Sequence, residues 1–389
     1  MIRALTPQDL SELAALRTRV DADANDRRRT QVAIAQLYPH LLLDTPWYNP
    51  DIPSLVNTAD GRLTGMLAVS ARPMLFEGRM ITAAIGTDLY VAGETRGTMA
   101  GLALPKALLN GNQDITFCDV ANDKTRRIWE RFGGFAASAY NLNWIGVFRP
   151  CQLAACILSD RRGLGLVGRA TMTVSPAIDR IVPKNLTCSI DPVPQGIMSE
   201  TLTPETFSQS LPELTADHLV RPVYSREATE WLWKRLPFLS LDSKEVSAIL
   251  LRNSRGKLLG WYIYHVTQSG IARVSQIAAK QADAQVVINH LFARVFEEGA
   301  AAIAGRMQPH FQQCMIDHNC LIRGRESYTL VHSRDRRLAE AFRGGHAWLT
   351  VVDGEAPLNV WSSPEHAIRE YDLPQLSGNT PESAELSTV

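Results

Sequence analysis

The chain has 389 residues, 45% of them hydrophobic, which is enough for two to three domains with buried cores. Forty Lys and Arg balance forty Asp and Glu, and this zero net charge excludes the broad electrostatic footprint of a nucleic-acid-binding or anionic-membrane-binding surface. The short basic runs Arg27 to Arg29 and Arg334, Arg336, Arg337 read as solvated helix faces. The opening MIRALTPQDLSELAALR carries charge throughout, unlike a signal peptide, and no uncharged apolar run reaches the ~18 residues of a membrane helix. Six cysteines (Cys118, Cys151, Cys156, Cys188, Cys314, Cys320), none in a Cys-x-x-Cys pair, read as reduced thiols without disulfides. These features predict a cytoplasmic protein with no nucleic-acid partner and no membrane insertion.

In chain order, Thr6 and Asp9 precede Leu10, Leu13, Leu16 and Val20, the pattern of a capped amphipathic helix, and a second helix is expected over Val32 to Leu43. Then come β-type runs at Ser54 to Asn57, Leu63 to Ala71 and Ile81 to Val91, with turns at Asp60-Gly61 and Glu77-Gly78. This meander leads through AGETRGTMAG into a helix, Leu102 to Leu109, then a strand, Ile115 to Val120, and a helix, Asp123 to Phe132. Residues 149–200, with a short apolar helix (Cys151 to Leu158), a glycine-rich stretch and four prolines, read as a linker. A second unit repeats the order: strands Val246 to Arg252, Lys257 to Val266 and Ile271 to Ala279, helix Ala284 to Glu298, strand Ala301 to Met307, helix Phe311 to Leu321. The expected organisation is α+β, with domains at 1–148 and 201–360 and a disordered tail at 361–389.

The turn Arg96 to Gly101, RGTMAG, lies between the strand ending at Val91 and a helix, where backbone N–H groups can meet a pyrophosphate. It resembles motif A of the GNAT acyltransferases, Arg/Gln-x-x-Gly-x-Gly/Ala. Arg96 and Gly101 match the outer positions, while Met99 stands where the middle glycine is expected and Gly97 offers flexibility instead. NDKTRRIWERFGGF, residues 122–135, resembles the second GNAT signature through Asn122, Ile128, Trp129, Glu130, Arg131, Gly134 and Phe135. The resemblance covers residues 1–148, and 201–355 by element order alone. It implies two GNAT-like modules, each a mixed, mostly antiparallel sheet flanked by helices.

The resemblance further implies acetyl-CoA or another acyl-CoA as co-substrate and a primary amine of a small molecule, amino sugar or peptide as acceptor. The acyl-CoA would lie along Leu89, Tyr90 and Val91, with its phosphates on Arg96, Gly97, Thr98, Met99, Ala100 and Gly101 and with Asn122 and Trp129 beside it. A tyrosine acid is expected at the place of Trp129, whose indole has no proton to give. Tyr140 is the substitute candidate. Asp88 and Asp119, acids within apolar β runs, are candidate bases.

Other signals weigh less. Gly163, Gly165 and Gly168 match a dinucleotide pattern without the strand it requires, and His310, Cys314 and His318 share a helix face, read as packing and not as a metal site. IAAKQADA, Ile277 to Ala284, has no glycine between strand and helix, so the second module is expected to be degenerate and to serve as a substrate platform or homodimer surface. EWLWKR, Glu230 to Arg235, reads as the aromatic anchors of a core helix. Two alternatives stay open: a catalytically inactive tandem binding or scaffold protein, and a FemABX-like transferase using another activated donor.

Overall fold

Thr6 donates from its hydroxyl and its backbone N–H to Asp9, at 2.7 and 2.9 Å, and Arg3 pairs with the same carboxylate at 2.6 Å. This network caps helix α1 (Leu10–Asp21) and docks it to strand β1 (Ile2–Ala4). The computed structural model describes residues 1–21, 38–92, 99–159, 179, 187–239, 243–325 and 327–358. Of the expected second helix, the described part is a single π turn, Pro39–Leu43.

The meander forms as β2 (Leu55–Ala59), β3 (Arg62–Phe76) and β4 (Arg79–Val91). Asp60-Gly61 and Glu77-Gly78 turn it with positive φ at both central residues, the geometry that matches the twist of a hairpin. There follow α2 (Met99–Leu109), β5 (Ile115–Ala121), α3 (Asp123–Arg131), β6 (Phe135–Ala136), β7 (Leu142–Val147) and α4 (Pro150–Ser159). The second half contains β8 (Ile197–Thr201), α5 (Pro204–Leu214), β9 (Val220–Pro222), α6 (Arg226–Arg235), β10 (Ser243–Asn253), β11 (Leu258–Thr267) and β12 (Ile271–Ala279). It continues with α7 (Ala284–Glu297), β13 (Ala302–Arg306), α8 (Gln312–Asp317), β14 (Leu321–Gly324), β15 (Tyr328–Ser333) and α9 (Arg336–Arg343).

Two sheets result. The first runs β1-β2-β3-β4-β5-β15-β6, with β9 on β3, and the second runs β14-β7-β13-β12-β11-β10-β8. The two halves therefore exchange strands. β7 leaves the first half to pair antiparallel with β13 and β14, and β15 returns from the second half to lie between β5 and β6. A boundary at residue 148 thus divides neither sheet cleanly.

The exchange fuses the cores. One cluster joins Leu13, Phe117 and Tyr140 of the first half to Leu232, Trp261, Phe342 and Trp348 of the second, while another packs α7 under the second sheet through Val287, Leu291 and Phe292. Trp231 and Trp233 are core anchors as expected, edge-on to Trp47 and to Phe207 with ring centroids 5.0 Å apart in both cases.

Candidate active site

β4 and β5 pair in parallel only where Ala83, Ala84 and Ile85 face Ile115, Thr116 and Phe117. Both strands then continue without pairing each other, so the sheet opens into a V. A bulge in β4, where Asp88 and Leu89 stand against the single Leu67 of β3, lets β4 bend away, and Asp88 takes up the strain with φ of 49°. The opening holds a cavity of about 180 Å³. Its walls are Gly86, Thr87 and Leu89 of β4, Pro105 and Leu108 of α2, Val120 of β5, and Trp129 of α3.

Glu355 reaches into this opening from the C-terminal side. Its Oε1 accepts the backbone N–H groups of Asp119 at 2.6 Å and Val120 at 3.0 Å, donors that the splay leaves without a strand partner. Thr87, on the opposite strand, lines the same cavity. Burial and then the charge of Asp119 push the pKa of Glu355 up to about 8.

The segment carrying Glu355 is held along its length. Buried Arg72 donates to the carbonyls of Val352, Asp353 and Gly354, and its guanidinium lies 4.0 Å from the Trp47 ring centroid. Asp353 accepts from the Tyr224 hydroxyl and from the N–H and hydroxyl of Thr350, and Arg235 donates to the Pro357 carbonyl. Gly354 packs so closely on Asp119 that a Cβ there would lie 2.1 Å from Oδ2. Only glycine fits.

The three catalytic candidates read from the sequence are each committed to other partners. Asp88 borders the cavity, but its carboxylate pairs with Arg17 at 3.1 Å, and Arg17 is buried and stacks 3.6 Å over Tyr90. Asp119 is buried, salt-bridged to Arg306 at 2.5 Å and bonded by the Glu355 N–H at 2.9 Å. Burial raises its pKa, yet Arg306, the Glu355 N–H and Arg325 outweigh burial and keep it below the usual range. It is an anchor and a poor base. Tyr140 lies in a 3-10 turn, Ser138–Tyr140, outside the splay, and its hydroxyl donates to Ala347 O at 2.6 Å and accepts from Ala347 N–H at 2.9 Å. Burial raises its pKa further, so it is a core residue.

The binding candidates fare differently. Leu89, Asn122 and Trp129 line the cavity. Asn122 caps α3 by accepting the Thr125 N–H at 2.9 Å, and Trp129 is buried against Leu109, Cys118 and Leu330. Tyr90 and Val91 pair with Met66 and Gly65. Arg96, Gly97 and Thr98 lie outside the described residues, as do Gly163, Gly165 and Gly168, while Met99, Ala100 and Gly101 open α2. His310 turns toward His218 and His318 bonds to Asn289, so they do not converge, and among the described residues no His, Cys, Asp and Glu group fits a metal.

The second sheet splays at the corresponding place, since β12 and β13 pair only from Ile271 to Val274. There Gln308 fills the gap, its carboxamide accepting the Ile277 N–H and donating to the Ile277 carbonyl.

No family model matches the sequence, and no curated protein matches it. Solved structures do match. A GCN5-related N-acetyltransferase from Anabaena variabilis ATCC 29413 is 13% identical, with 85% of this chain and 72% of that chain covered at a TM-score of 0.55. A conserved protein of unknown function from Enterococcus faecalis V583, described as a probable N-acyltransferase, is 10% identical, with 86% and 72% covered at 0.54. The chain has the GNAT fold. In this GNAT fold the splayed strands, α2 and α3 enclose the cavity, and Glu355, invisible to motif reading because it lies far from both signatures, completes it.

No helix among the described residues is long and apolar enough to cross a membrane.

Proposed function

We propose that this protein is an acyl-CoA-dependent N-acyltransferase whose chemistry takes place in the splay of the first sheet, with Glu355 as general base. The observation that carries the proposal is the Glu355 carboxyl at the mouth of the V, held on the Asp119 and Val120 N–H groups with a pKa of about 8. A base is most useful when its pKa lies near the working pH.

The residues present fit an acyl-CoA. The cavity has apolar walls at Leu89, Leu108 and Trp129 for a pantetheine arm, and α2 begins beyond the end of β4, where a helix N-terminus favours phosphate. The acyl-CoA supplies a thioester carbon that an amine attacks, releasing the CoA thiol. The chain's own residues do the rest. Trp129 and Leu108 exclude water, the Asp119 and Val120 N–H groups fix the Glu355 carboxyl, and ionised Glu355 accepts the proton that the attacking amine sheds. Asp119 acts through Glu355, holding its backbone N–H at 2.9 Å while Arg306 keeps Asp119 anionic.

A non-catalytic binding role is the second reading, favoured by the buried Trp129 in place of a tyrosine acid. The two separate in one assay, thiol release from acetyl-CoA across an amine panel, followed against pH in wild type and Glu355→Gln. A base requires a rate limb near pH 8 in the wild type that the variant loses. Acetyl-CoA binding without thiol release for any amine supports the binding role instead.

A further inference from the structure

A second, larger basin of about 1050 Å³ opens on the other side of β5 and shares Val120, Ala121 and Asn122 with the splay cavity. Its floor is the face of the second sheet opposite α7. Alternation along the strands brings together Arg273 of β12, Arg306 of β13, Asn143 of β7 and Arg323 of β14, and the register sets Asn143 against both Arg306 and Arg323.

The charge of this basin is unbalanced. Four arginines line it (Arg273, Arg306, Arg323 and Arg325) against one carboxylate, Asp119, and Asp119 is committed to Arg306. Arg325 donates to the Asp119 and Tyr140 carbonyls. Among the described residues, Arg273 and Arg323 make neither a hydrogen bond nor an ion pair. Arg273 is an exposed residue that lines the basin, and partial burial of its guanidinium there, then the charge of Arg323, lowers its pKa. Facing Arg273 across the β11–β12 ladder is His265, 5% exposed, whose Nδ1 is buried without a hydrogen-bond partner. Burial and Arg273 bring its pKa down to about 4, so it offers a neutral imidazole. A buried polar atom without a partner costs free energy unless a ligand or water satisfies it, and the guanidinium of Arg273 beside it, with Arg323 near enough to act on Arg273, suits an oxyanion.

We propose that this basin is the acceptor site and that the acceptor is a small amine bearing an anionic group, carboxylate or phosphate, which Arg273, paired with His265, and Arg323 hold between them. The amine end then lies toward Val120 and Glu355, where the two cavities meet. This orientation rests on the acyl-CoA reading, whereas anion capture does not. The basin is slightly larger than the roughly 300–1,000 Å³ of sites for small organic ligands, so a small acceptor fits with room to spare. Gln308, by closing the splay of the second sheet, leaves this face free for the acceptor alone.

The test uses three amino sugars that share one ring: glucosamine, glucosamine 6-phosphate and muramic acid, which carries a carboxylate. Each is titrated calorimetrically into wild type, Arg273→Gln, Arg323→Gln and the double variant. Both arginines are exposed, so the variants are expected to fold. One or both anionic sugars should bind at least about tenfold tighter than glucosamine, and each substitution should weaken that binding about 10-fold to 100-fold while leaving glucosamine unaffected. Preference for phosphate or for carboxylate names the group. Anionic sugars that bind no tighter than glucosamine, or a preference that survives in the double variant, overturn the proposal. Acetyl-CoA titrated into the same four proteins keeps the two ideas apart. If it binds all of them while the anion preference is absent, only the acceptor proposal fails. If it binds none while the preference holds and depends on the arginines, the acyl-CoA reading fails and the anion site stands.

Discussion

Replacing Gly354 with alanine tests whether Glu355 is positioned by design of the fold. The added Cβ would lie 2.1 Å from Asp119 Oδ2 and 2.6 Å from its Cγ, so reaching an ordinary 3.4 Å contact requires a shift of about 1.3 Å. Asp119 cannot yield, because Arg306 holds the same Oδ2 at 2.5 Å inside the core. The strap cannot yield freely either, since Arg72 grips three of its carbonyls. Overpacking of this kind costs about 1–3 kcal/mol, and a misplacement of about 1 Å at a catalytic group can cost about 100-fold in rate. Urea denaturation and thiol release from acetyl-CoA, measured on one preparation, should show both losses, with acetyl-CoA affinity changed far less than turnover. A Gly354→Ala protein with wild-type turnover and stability within about 0.5 kcal/mol would refute the argument that the strap places the base.

Further outcomes follow from the buried pairs. Arg306→Met strands Asp119 in the core and should destabilise by about 3–5 kcal/mol in urea denaturation, whereas an exposed pair such as Arg226 with Glu230 should cost under about 1 kcal/mol. Tyr140→Phe removes both bonds to Ala347 and should cost about 1–3 kcal/mol while leaving the turnover of the folded enzyme unchanged. The Arg3 hydrogen bond, foremost, pulls the Asp9 pKa down to about 2 from 3.8. A carboxylate depressed in the folded state contributes stability that is present above pH 3.8 and lost as pH falls through about 2, so urea midpoints measured down this range should fall more steeply in wild type than in Asp9→Asn.

What was legible in the sequence was local. The Thr6–Asp9 box, the Asp60-Gly61 and Glu77-Gly78 turns and the Asn122 cap formed where the residues announced them, because each rests on contacts within a few positions along the chain. The partners of the strands were not legible. No strand is assigned at β7 or β15 from the sequence, and their exchange between sheets depends on edges built by residues far away in the chain. The site splits along the same line. Leu89, Asn122 and Trp129 line the cavity, while the acids could not be sorted from sequence, because whether a carboxylate is spent on an arginine is decided by tertiary contacts: Arg17 for Asp88, Arg306 for Asp119. Glu355 lies in the unremarkable run Asp353-Gly354-Glu355. It acquires its setting only when Arg72, Tyr224 and Asp119, all distant in sequence, fold around it.

The central claim is that the splay of the first sheet receives an acyl-CoA, and a direct titration addresses it. Val120 is 59% exposed and lines both cavities, so Val120→Trp fills their junction without disturbing the core. Calorimetry with acetyl-CoA should give micromolar binding to the wild type and at least about tenfold weaker binding to Val120→Trp at unchanged Tm. No heat of binding to the wild type at high micromolar acetyl-CoA, or equal affinity in the filled variant, would contradict the account.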